Sequence, residues 1–187
     1  MLRAPFKVVL DANVLYPFTL RDTLLRVAEG EFFQLYWSAE ILEETRRNLV
    51  ADAQITQEQA ANLFNVMTLA FPEAMVTKYE QYIDSMKNDP KDRHVAAAAM
   101  KIGAQVIVTC NIKDFRDLPD GIEAQTPDEF LGNLFDLDPE RFLELLREQS
   151  ADLRNPSVTF DGLLVRMQKV APNLVSTIQG FLATAPN

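Results

Sequence analysis

Residues 8–10, Val-Val-Leu, form a short unbroken apolar run that ends directly in Asp11. The run is too short for a helix and is β-branched, which favours a strand buried on both faces. A carboxylate at the carboxyl end of such a strand lies at the mouth of a parallel α/β sheet, where ligands bind. Asp11 and Asn13 could equally cap the turn into the next helix, so this stretch alone leaves both interpretations open.

Composition limits the class of protein. The 187 residues suffice for one well-packed domain with an appendage, and 48% hydrophobic with 24% charged residues is typical of a soluble globular chain. The longest apolar stretch, residues 95–100, is too short to span a membrane, and no secretory signal is apparent. A single cysteine, Cys110, excludes an internal disulfide. We therefore expect a cytoplasmic protein without a membrane partner.

The charge balance is acidic, with 18 basic and 27 acidic residues and a formal net charge of −9. Broad electrostatic binding of nucleic acid needs a basic surface, which this balance disfavours. An enzyme that acts on nucleic acid through a metal is not excluded, because a carboxylate-rich site is negative until the metal arrives. The balance also suits a small basic protein partner.

A second strand-to-helix unit follows. Residues 32–37 are strongly strand-forming, and Ser38 is placed to cap the helix that comes next. Helical periodicity favours Glu44 as the acid that faces the sheet mouth, with Glu40 and Glu43 turned toward solvent. All three could instead be surface acids near a helix N-terminus.

The segment from Asp89 predicts a further helix. Asp89 followed by Pro90 is typical of a helix start, and Asp92 then falls at the third helical position, where the helix dipole favours a carboxylate. Both acids could be structural. Four alanines at 96–99 would let this helix approach a sheet closely and bring Asp92 to the other acids. We interpret His94, the only histidine, as a surface or packing residue, and we expect no zinc site.

Residues 105–109 predict another buried strand. Asn111 and Asp114 follow at its carboxyl end, in a polar segment that could bind a cation. No partner for a reactive thiol is visible, so we expect Cys110 to be a small buried hydrophobic residue. Residues 122–125 predict a last short strand.

The rest of the chain is helical by pattern. Residues 55–71 form a helix that opens with a capping box, and only helical patterns occur after residue 138. We therefore predict an α/β domain over residues 1–135 and a helical appendage over residues 136–187. The appendage should pack on the domain or on a partner through its apolar faces. Those faces are carried by Phe142, Leu146, Phe160, Leu164 and Ile178.

Several acidic and amide side chains share one kind of position, after a strand or at the start of the following helix. They are Asp11, Glu44, Asp92, Asn111 and Asp114. Such strand ends lie along one edge of a parallel sheet. Carboxylates without thiols or imidazoles are hard oxygen ligands that suit Mg²⁺ or Mn²⁺. A site of this kind activates water for attack on a phosphodiester.

These segments resemble the PIN domain, and more narrowly the VapC-type toxins of bacterial toxin–antitoxin pairs. The resemblance covers roughly residues 6–132 and is carried by four motifs in order, which contain Asp11-Ala-Asn13, Ser38 to Glu44, Asp92-Arg-His-Val-Ala-Ala and Thr109 to Phe115. It implies a metal-dependent endoribonuclease on a three-layer α/β/α fold, with Mg²⁺ or Mn²⁺ as cofactor and RNA as substrate. It also implies an antitoxin partner and frequent homodimers.

The resemblance assigns roles residue by residue. Asp11, Glu44 and Asp92 become the catalytic and metal-binding acids. The fourth position, usually Asp in the family, is Asn111 here, and Asp114 is the nearby acid that could bind the metal in its place. Asn13 and Asp89 are candidates for supporting roles. Arg46, Arg47 and Arg93 are candidates for RNA contact, although the first two could instead pair with acids of their own helix.

Two other classes of protein compete with this interpretation. A haloacid-dehalogenase-like phosphatase also begins with Asp after an apolar strand, but it needs a second Asp two residues on as acid, where this chain has Asn13. A catalytically weak or inactive PIN-fold module that binds RNA or protein is favoured by Asn111 and the net charge, and opposed by the intact Asp11, Glu44 and Asp92. A P-loop enzyme is excluded because no Gly-x-x-x-x-Gly-Lys occurs.

Overall fold

The computed structural model describes residues 6–184. Its centre is a five-stranded sheet in the order β3-β2-β1-β4-β5, and every pairing in it is parallel. The strands are β1 (Lys7–Leu10), β2 (Gln34–Ser38), β3 (Met75–Val76), β4 (Val106–Val108) and β5 (Glu123–Gln125). The predicted α/β class with a parallel sheet is confirmed. The two-residue strand β3 was not predicted, because two residues carry no periodicity.

Helices occupy the connections and the C-terminal third of the chain. They are α1 (Ala12–Leu15), α2 (Phe18–Glu29), α3 (Ala39–Ala51), α4 (Gln57–Ala70), α5 (Arg93–Ile102), α6 (Pro127–Leu137), α7 (Pro139–Asp152), α8 (Phe160–Met167) and α9 (Pro172–Thr184). Three 3-10 turns add Glu80–Ser85, Pro90–Asp92 and Ile112–Phe115. No helix in residues 6–184 combines the length and apolar character needed to cross a membrane.

The strand order fixes where a ligand can bind. The connection through α3 runs from β2 outward to β3, and the connection through α5 returns across the sheet from β3 to β4. Right-handed crossovers that run in opposite directions place their helices on opposite faces, which gives three layers. The direction changes between β1 and β4, and the crevice at the carboxyl ends of these two strands is the usual ligand site of such a sheet.

The described residues form two compact units, each built from separate stretches of the chain. One contains residues 6–16 and 33–125 with the whole sheet, and the other contains residues 17–32 and 126–184. The boundary expected between residues 135 and 136 falls inside α6. Contacts instead group α2 and all of α6 with the C-terminal helices, because α2 packs on α7 and α8 while α6 packs on α7 and α9.

Aromatic edge-to-face contacts hold the helical unit together. Phe135 meets Phe142 and Phe181 with ring centroids 5.7 and 5.6 Å apart, and Phe142 also meets Phe32 at 5.8 Å. Of the five apolar residues expected to be buried in this region, four are, while Phe160 is half-buried beneath the guanidinium of Arg147. The apolar faces of the predicted tail helices therefore pack within their own unit.

Local capping explains several element starts. Ser38 accepts a hydrogen bond from the Ile41 N–H and so begins α3, as predicted. The predicted capping box opens α4 at Thr56, and a second capping box opens α6 at Thr126. Asp92, by contrast, is not the third residue of a continuous helix. Residues 90–92 form a 3-10 turn, and Asp92 precedes the first residue of α5.

Helix α5 lies close to the sheet because its inner face is made of alanine. Ala96, Ala97, Ala98 and Ala99 are fully buried, and the helix contacts β1, β2 and β4. Small side chains allow a helix backbone to approach a sheet, and the packed interior has no space for a larger group. The expected approach of this helix to the sheet is confirmed, and it fixes the position of the residues just before the helix, including Asp92.

We expect Ala97→Leu to destabilise the protein by about 1–3 kcal/mol, because the added methylenes must displace α5 or its neighbours. The measurement is urea unfolding followed by circular dichroism. Met100→Leu is the matched control, since Met100 lies in the same helix but is 41% exposed, and its effect should stay within about 0.5 kcal/mol. Equal stability of Ala97→Leu and the parent would contradict the close packing.

Candidate active site

Asp11 directly follows β1, at the carboxyl end of the central strand of the sheet. Its backbone N–H donates to the Val108 carbonyl at 3.1 Å, which extends the pairing of β1 with β4 by one residue. The side chain is 4% exposed. Because β1 is the central strand, the sheet holds Asp11 on both sides and the residue cannot move independently of the core.

Three donors fix the Asp11 carboxylate. The Ala12 N–H donates to Oδ1 at 2.7 Å, while the Thr109 hydroxyl at 2.7 Å and the Asn13 amide at 2.6 Å both donate to Oδ2. The bond from Ala12 makes Asp11 the cap of α1 as well as the central acid of the crevice. The capping interpretation is confirmed, while a ligand-binding role of Asp11 stays a prediction.

Asn13 and Thr109 join the ends of β1 and β4. The second Asn13 amide hydrogen donates to Thr109 Oγ1 at 3.0 Å, and Asn13 Oδ1 accepts from the Cys110 N–H at 2.9 Å. Thr109 Oγ1 also accepts from the Asn111 N–H at 3.1 Å. These bonds hold Asn13 against the Asp11 carboxylate, and its supporting role in a site stays a prediction. Thr109 was not singled out from the sequence, although a polar residue ending a buried strand was a usable signal.

Cys110 is exposed, and the expectation that it is buried was wrong. The buried position at the end of β4 is taken by Thr109, whose side chain is fully inaccessible. The chain turns immediately after Thr109, so the next side chain points outward.

Electrostatics couple Asp11 to two other predicted acids. Burial raises the pKa of Asp11 to about 6, and hydrogen bonds from Thr109 and Ala12 oppose that rise. The negative charges of Asp92 and Glu44 raise the Asp11 pKa further. The charges of two acids from two other segments thus act on Asp11.

Asp92 is the centre of a second group of charges. Burial raises its pKa, Lys91 and His94 lower it, and the charges of Asp114 and Asp89 raise it again. The Asp92 side chain makes no capping hydrogen bond to α5. The segments of Asp89 and Asp114 are tied together, because the Asp89 N–H donates to the Asp114 carbonyl at 3.0 Å.

The three acids of α3 differ in their surroundings. Glu44 is the least exposed, with 36% of its side chain accessible against 56% for Glu40 and 54% for Glu43. Glu43 pairs with Arg46 at 2.6 Å, whereas Glu40 accepts a hydrogen bond from the Tyr79 hydroxyl at 3.2 Å. Glu40 and Glu44 both lie beside His94.

The other residues predicted from the sequence, Asn111, Arg46, Arg47 and Arg93, make their hydrogen bonds to residues other than Asp11, Glu44 and Asp92 or are exposed. Asn111 is exposed and contributes its backbone N–H. Arg46 is held by Glu43 and by Gln57, which accepts at 2.7 Å, while Arg47 is exposed. Arg93 donates to the Asn88 carbonyl at 3.3 Å.

The donor chemistry of the group suits a divalent cation. Asp11, Glu44 and Asp92 offer hard oxygen atoms, and the repulsion that raises the Asp11 pKa is what a cation would relieve. Within residues 6–184, however, no three His, Cys, Asp or Glu side chains are arranged so as to hold a metal ion. Side-chain rotations of Glu44 and Asp92 toward Asp11 would therefore have to accompany binding.

The fold and the acids together define a class: a parallel α/β protein with carboxylates gathered where the strand order reverses. The PIN domain profile matches residues 7–113, and the profile of the VapC50 C-terminal domain matches residues 127–180. The chain belongs to the PIN domain family.

Two relatives illustrate the similarity. Over 101 residues the chain is 48% identical to the protein named "Putative ribonuclease VapC50" from Mycobacterium tuberculosis, which covers 52% of this chain and 60% of that relative. The alignment thus spans less than two thirds of the relative's length. The crystal structure of VapBC2 from Rickettsia felis bound to a DNA fragment from their promoter aligns with 65% of this chain and 98% of its own, at 15% identity and a TM-score of 0.48.

The raised pKa of Asp11 predicts a specific pH dependence of stability without metal. Asp11 binds its proton more tightly in the folded protein than in the unfolded chain, so its charge opposes folding above pH 6 and has no effect below about pH 4. As the pH rises between these values, the free energy of unfolding of the parent should fall by up to about 3 kcal/mol relative to that of Asp11→Asn, because the amide cannot ionise. Urea unfolding of both proteins in EDTA at pH 4 and 7.5 measures this change.

The comparison between the two pH values removes the constant effect of exchanging a carboxylate for an amide. Glu43→Gln is the control, because the hydrogen bond from Arg46 lowers the pKa of Glu43 and its loss should not stabilise the protein at pH 7.5. A difference between Asp11→Asn and the parent that is the same at both pH values would contradict the assignment.

Proposed function

We propose that this protein is a divalent-metal-dependent endoribonuclease and the toxin component of a type II toxin–antitoxin pair. The observation that carries the proposal is the buried carboxylate of Asp11, fixed by three hydrogen bonds and acted on by the charges of Glu44 and Asp92. Membership of the PIN domain family and the similarity to a relative named as a ribonuclease support it.

Asp11, Glu44 and Asp92 would hold a Mg²⁺ or Mn²⁺ ion, with Asp114 on the Asp92 side. Asn111 and Asp89 would support this group from the adjoining segments. When bound, such an ion supplies positive charge that stabilises the phosphodiester transition state and lowers the pKa of the attacking water.

The protein's own contribution is orientation. Thr109 and Asn13 both donate to Oδ2 of Asp11, so the carboxylate cannot rotate, and Asn13 also ties the turn after β4 to the turn after β1. A metal-binding side chain that is already fixed in the free protein loses little conformational entropy when the ion binds. Thr109 and Asn13 are therefore positioning residues in this proposal.

RNA would approach the exposed side of the acid group. Arg47 is free to meet a phosphate because it is exposed, and Arg93 lies next to Asp92. Arg46 is the weaker candidate, since Glu43 and Gln57 occupy its guanidinium. With a net charge of −9, affinity for RNA would depend on the metal and on these few side chains rather than on a basic surface.

The proposed setting is that of a toxin. We propose a cytoplasmic protein whose partner is a cognate antitoxin, and a homodimer as its own assembly. The acidic balance suits an antitoxin segment that is basic.

RNA cleavage by the purified chain in Mg²⁺, Mn²⁺ and EDTA tests the proposal. We expect cleavage in either metal and none in EDTA. Asp11→Asn and Glu44→Gln should each lower the rate by at least about 100-fold, because each removes one full charge from the proposed ion site. Glu43→Gln is the matched control, since Glu43 neighbours Glu44 in sequence but faces Arg46, and it should cleave like the parent.

The alternative outcome has a clear meaning. RNA binding without cleavage in saturating Mg²⁺ or Mn²⁺ would replace the enzyme by the non-catalytic PIN-fold module. Parental cleavage by Asp11→Asn would contradict the assignment of the site itself. If Glu43→Gln and Glu44→Gln lower the cleavage rate equally, the acids of α3 do not face the directions that the structure gives them.

A further inference from the structure

His94 lies between two carboxylates next to the candidate active site. It is in the first turn of α5, two residues after Asp92, and is only 6% exposed. Its Nε2 atom is 3.9 Å from Glu44 Oε2, and its Nδ1 atom is 3.8 Å from Glu40 Oε2. Both nitrogens of the ring therefore face oxygen atoms of α3.

Packing alone does not account for a histidine here. Nδ1 is buried and has no hydrogen-bond partner within the described part of the chain. Buried polar atoms are nearly always paired, and an apolar side chain of similar size would leave no nitrogen unpaired. Because Nδ1 makes no hydrogen bond, a histidine at this position can contribute a polar interaction only through Nε2.

Glu44 is the carboxylate that needs this nitrogen. Glu40 and Glu44 are one helical turn apart on the same face of α3, but Glu40 already accepts from the Tyr79 hydroxyl at 3.2 Å. In residues 6–184 Glu44 accepts no hydrogen bond and has no charged neighbour within ion-pair distance other than His94. Among the residues that the structure describes, no other contact holds the Glu44 side chain in one orientation.

We propose that His94 is a positioning residue for Glu44, whose carboxylate it orients by donating from Nε2. This inference rests on the proposed metal-dependent function. The present separation of 3.9 Å is longer than a hydrogen bond, so the proposed contact requires the Glu44 carboxylate to move toward Nε2, for which its soft terminal torsion leaves freedom. The result is a Glu44 carboxylate that is held beside His94 and samples fewer orientations before the cation binds, so that less side-chain entropy is lost on binding.

Mn²⁺ binding to the full chain, measured by isothermal titration calorimetry, tests this role apart from catalysis. His94→Leu should weaken Mn²⁺ binding about 10- to 100-fold, the usual effect of losing a partner that orients a metal ligand. His94→Gln should keep most of the parent affinity, because its amide nitrogen reaches the Nε2 position. His94→Asn places its amide near the Nδ1 position, beside Glu40, and should behave like His94→Leu.

A double variant shows whether His94 acts through Glu44. In Glu44→Gln the cation has already lost that ligand, so adding His94→Leu should weaken Mn²⁺ binding no further. Equal affinities of His94→Gln and His94→Asn, or a further loss in the double variant, would overturn the proposal. If His94→Leu does not fold, the comparison of His94→Gln with His94→Asn decides alone.

Mn²⁺ binding by the parent protein separates the proposed function from the proposed role of His94. A parent protein that binds no Mn²⁺ would remove the metal-dependent function and the role of His94 together. A parent that binds Mn²⁺ tightly, with all three His94 variants binding equally well, would remove the role of His94 and leave the metal site intact.

Discussion

The hydroxyl of Thr109 donates to the buried carboxylate of Asp11 across the β1–β4 pair at 2.7 Å. This bond joins the two strands between which the direction of the sheet's connections reverses, and it brings the acid to a fixed place in the core. Asn13 closes the same arrangement by bonding to Asp11, to Thr109 and to the Cys110 N–H. The rest of the site is positioned relative to these few atoms.

A buried carboxylate of this kind opposes folding when it is charged. Its three hydrogen bonds offset part of that cost, but the charges of Asp92 and Glu44 add to it. The negative charges around Asp11 thus repel one another, and a divalent cation is the simplest ligand that would relieve this repulsion. The alanine face of α5 contributes indirectly, because it sets the distance from the sheet at which Asp92 and His94 stand.

The sequence predicts the sheet well because its strands are short, apolar and bounded by polar turns. Val8 to Leu10 and Val106 to Val108 are fully or almost fully buried, as continuous apolar runs in a parallel sheet should be. Capping residues predict helix starts for a similar reason, since the signal lies within four residues. The 3-10 turn before α5 was missed because Asp-Pro opens either kind of helix.

The surroundings of the site were harder to predict because they depend on contacts between distant segments. The role of Thr109 depends on pairing with a strand 98 residues away. His94 was classed as a surface or packing residue, and it is buried between acids that only the approach of α5 to α3 brings near. The grouping of α2 with the C-terminal helices likewise leaves no periodic signal in the sequence.

We propose that the acids around Asp11 close on one divalent cation. A crystal structure of the full chain grown with Mn²⁺, with anomalous data to locate the ion, would show whether they do. We expect an ion at the carboxyl end of β1, within about 2.0–2.6 Å of oxygen atoms from Asp11, Glu44 and Asp92. Mn²⁺ bound elsewhere on the protein, with these three carboxylates unchanged and the crevice without an anomalous peak, would contradict it.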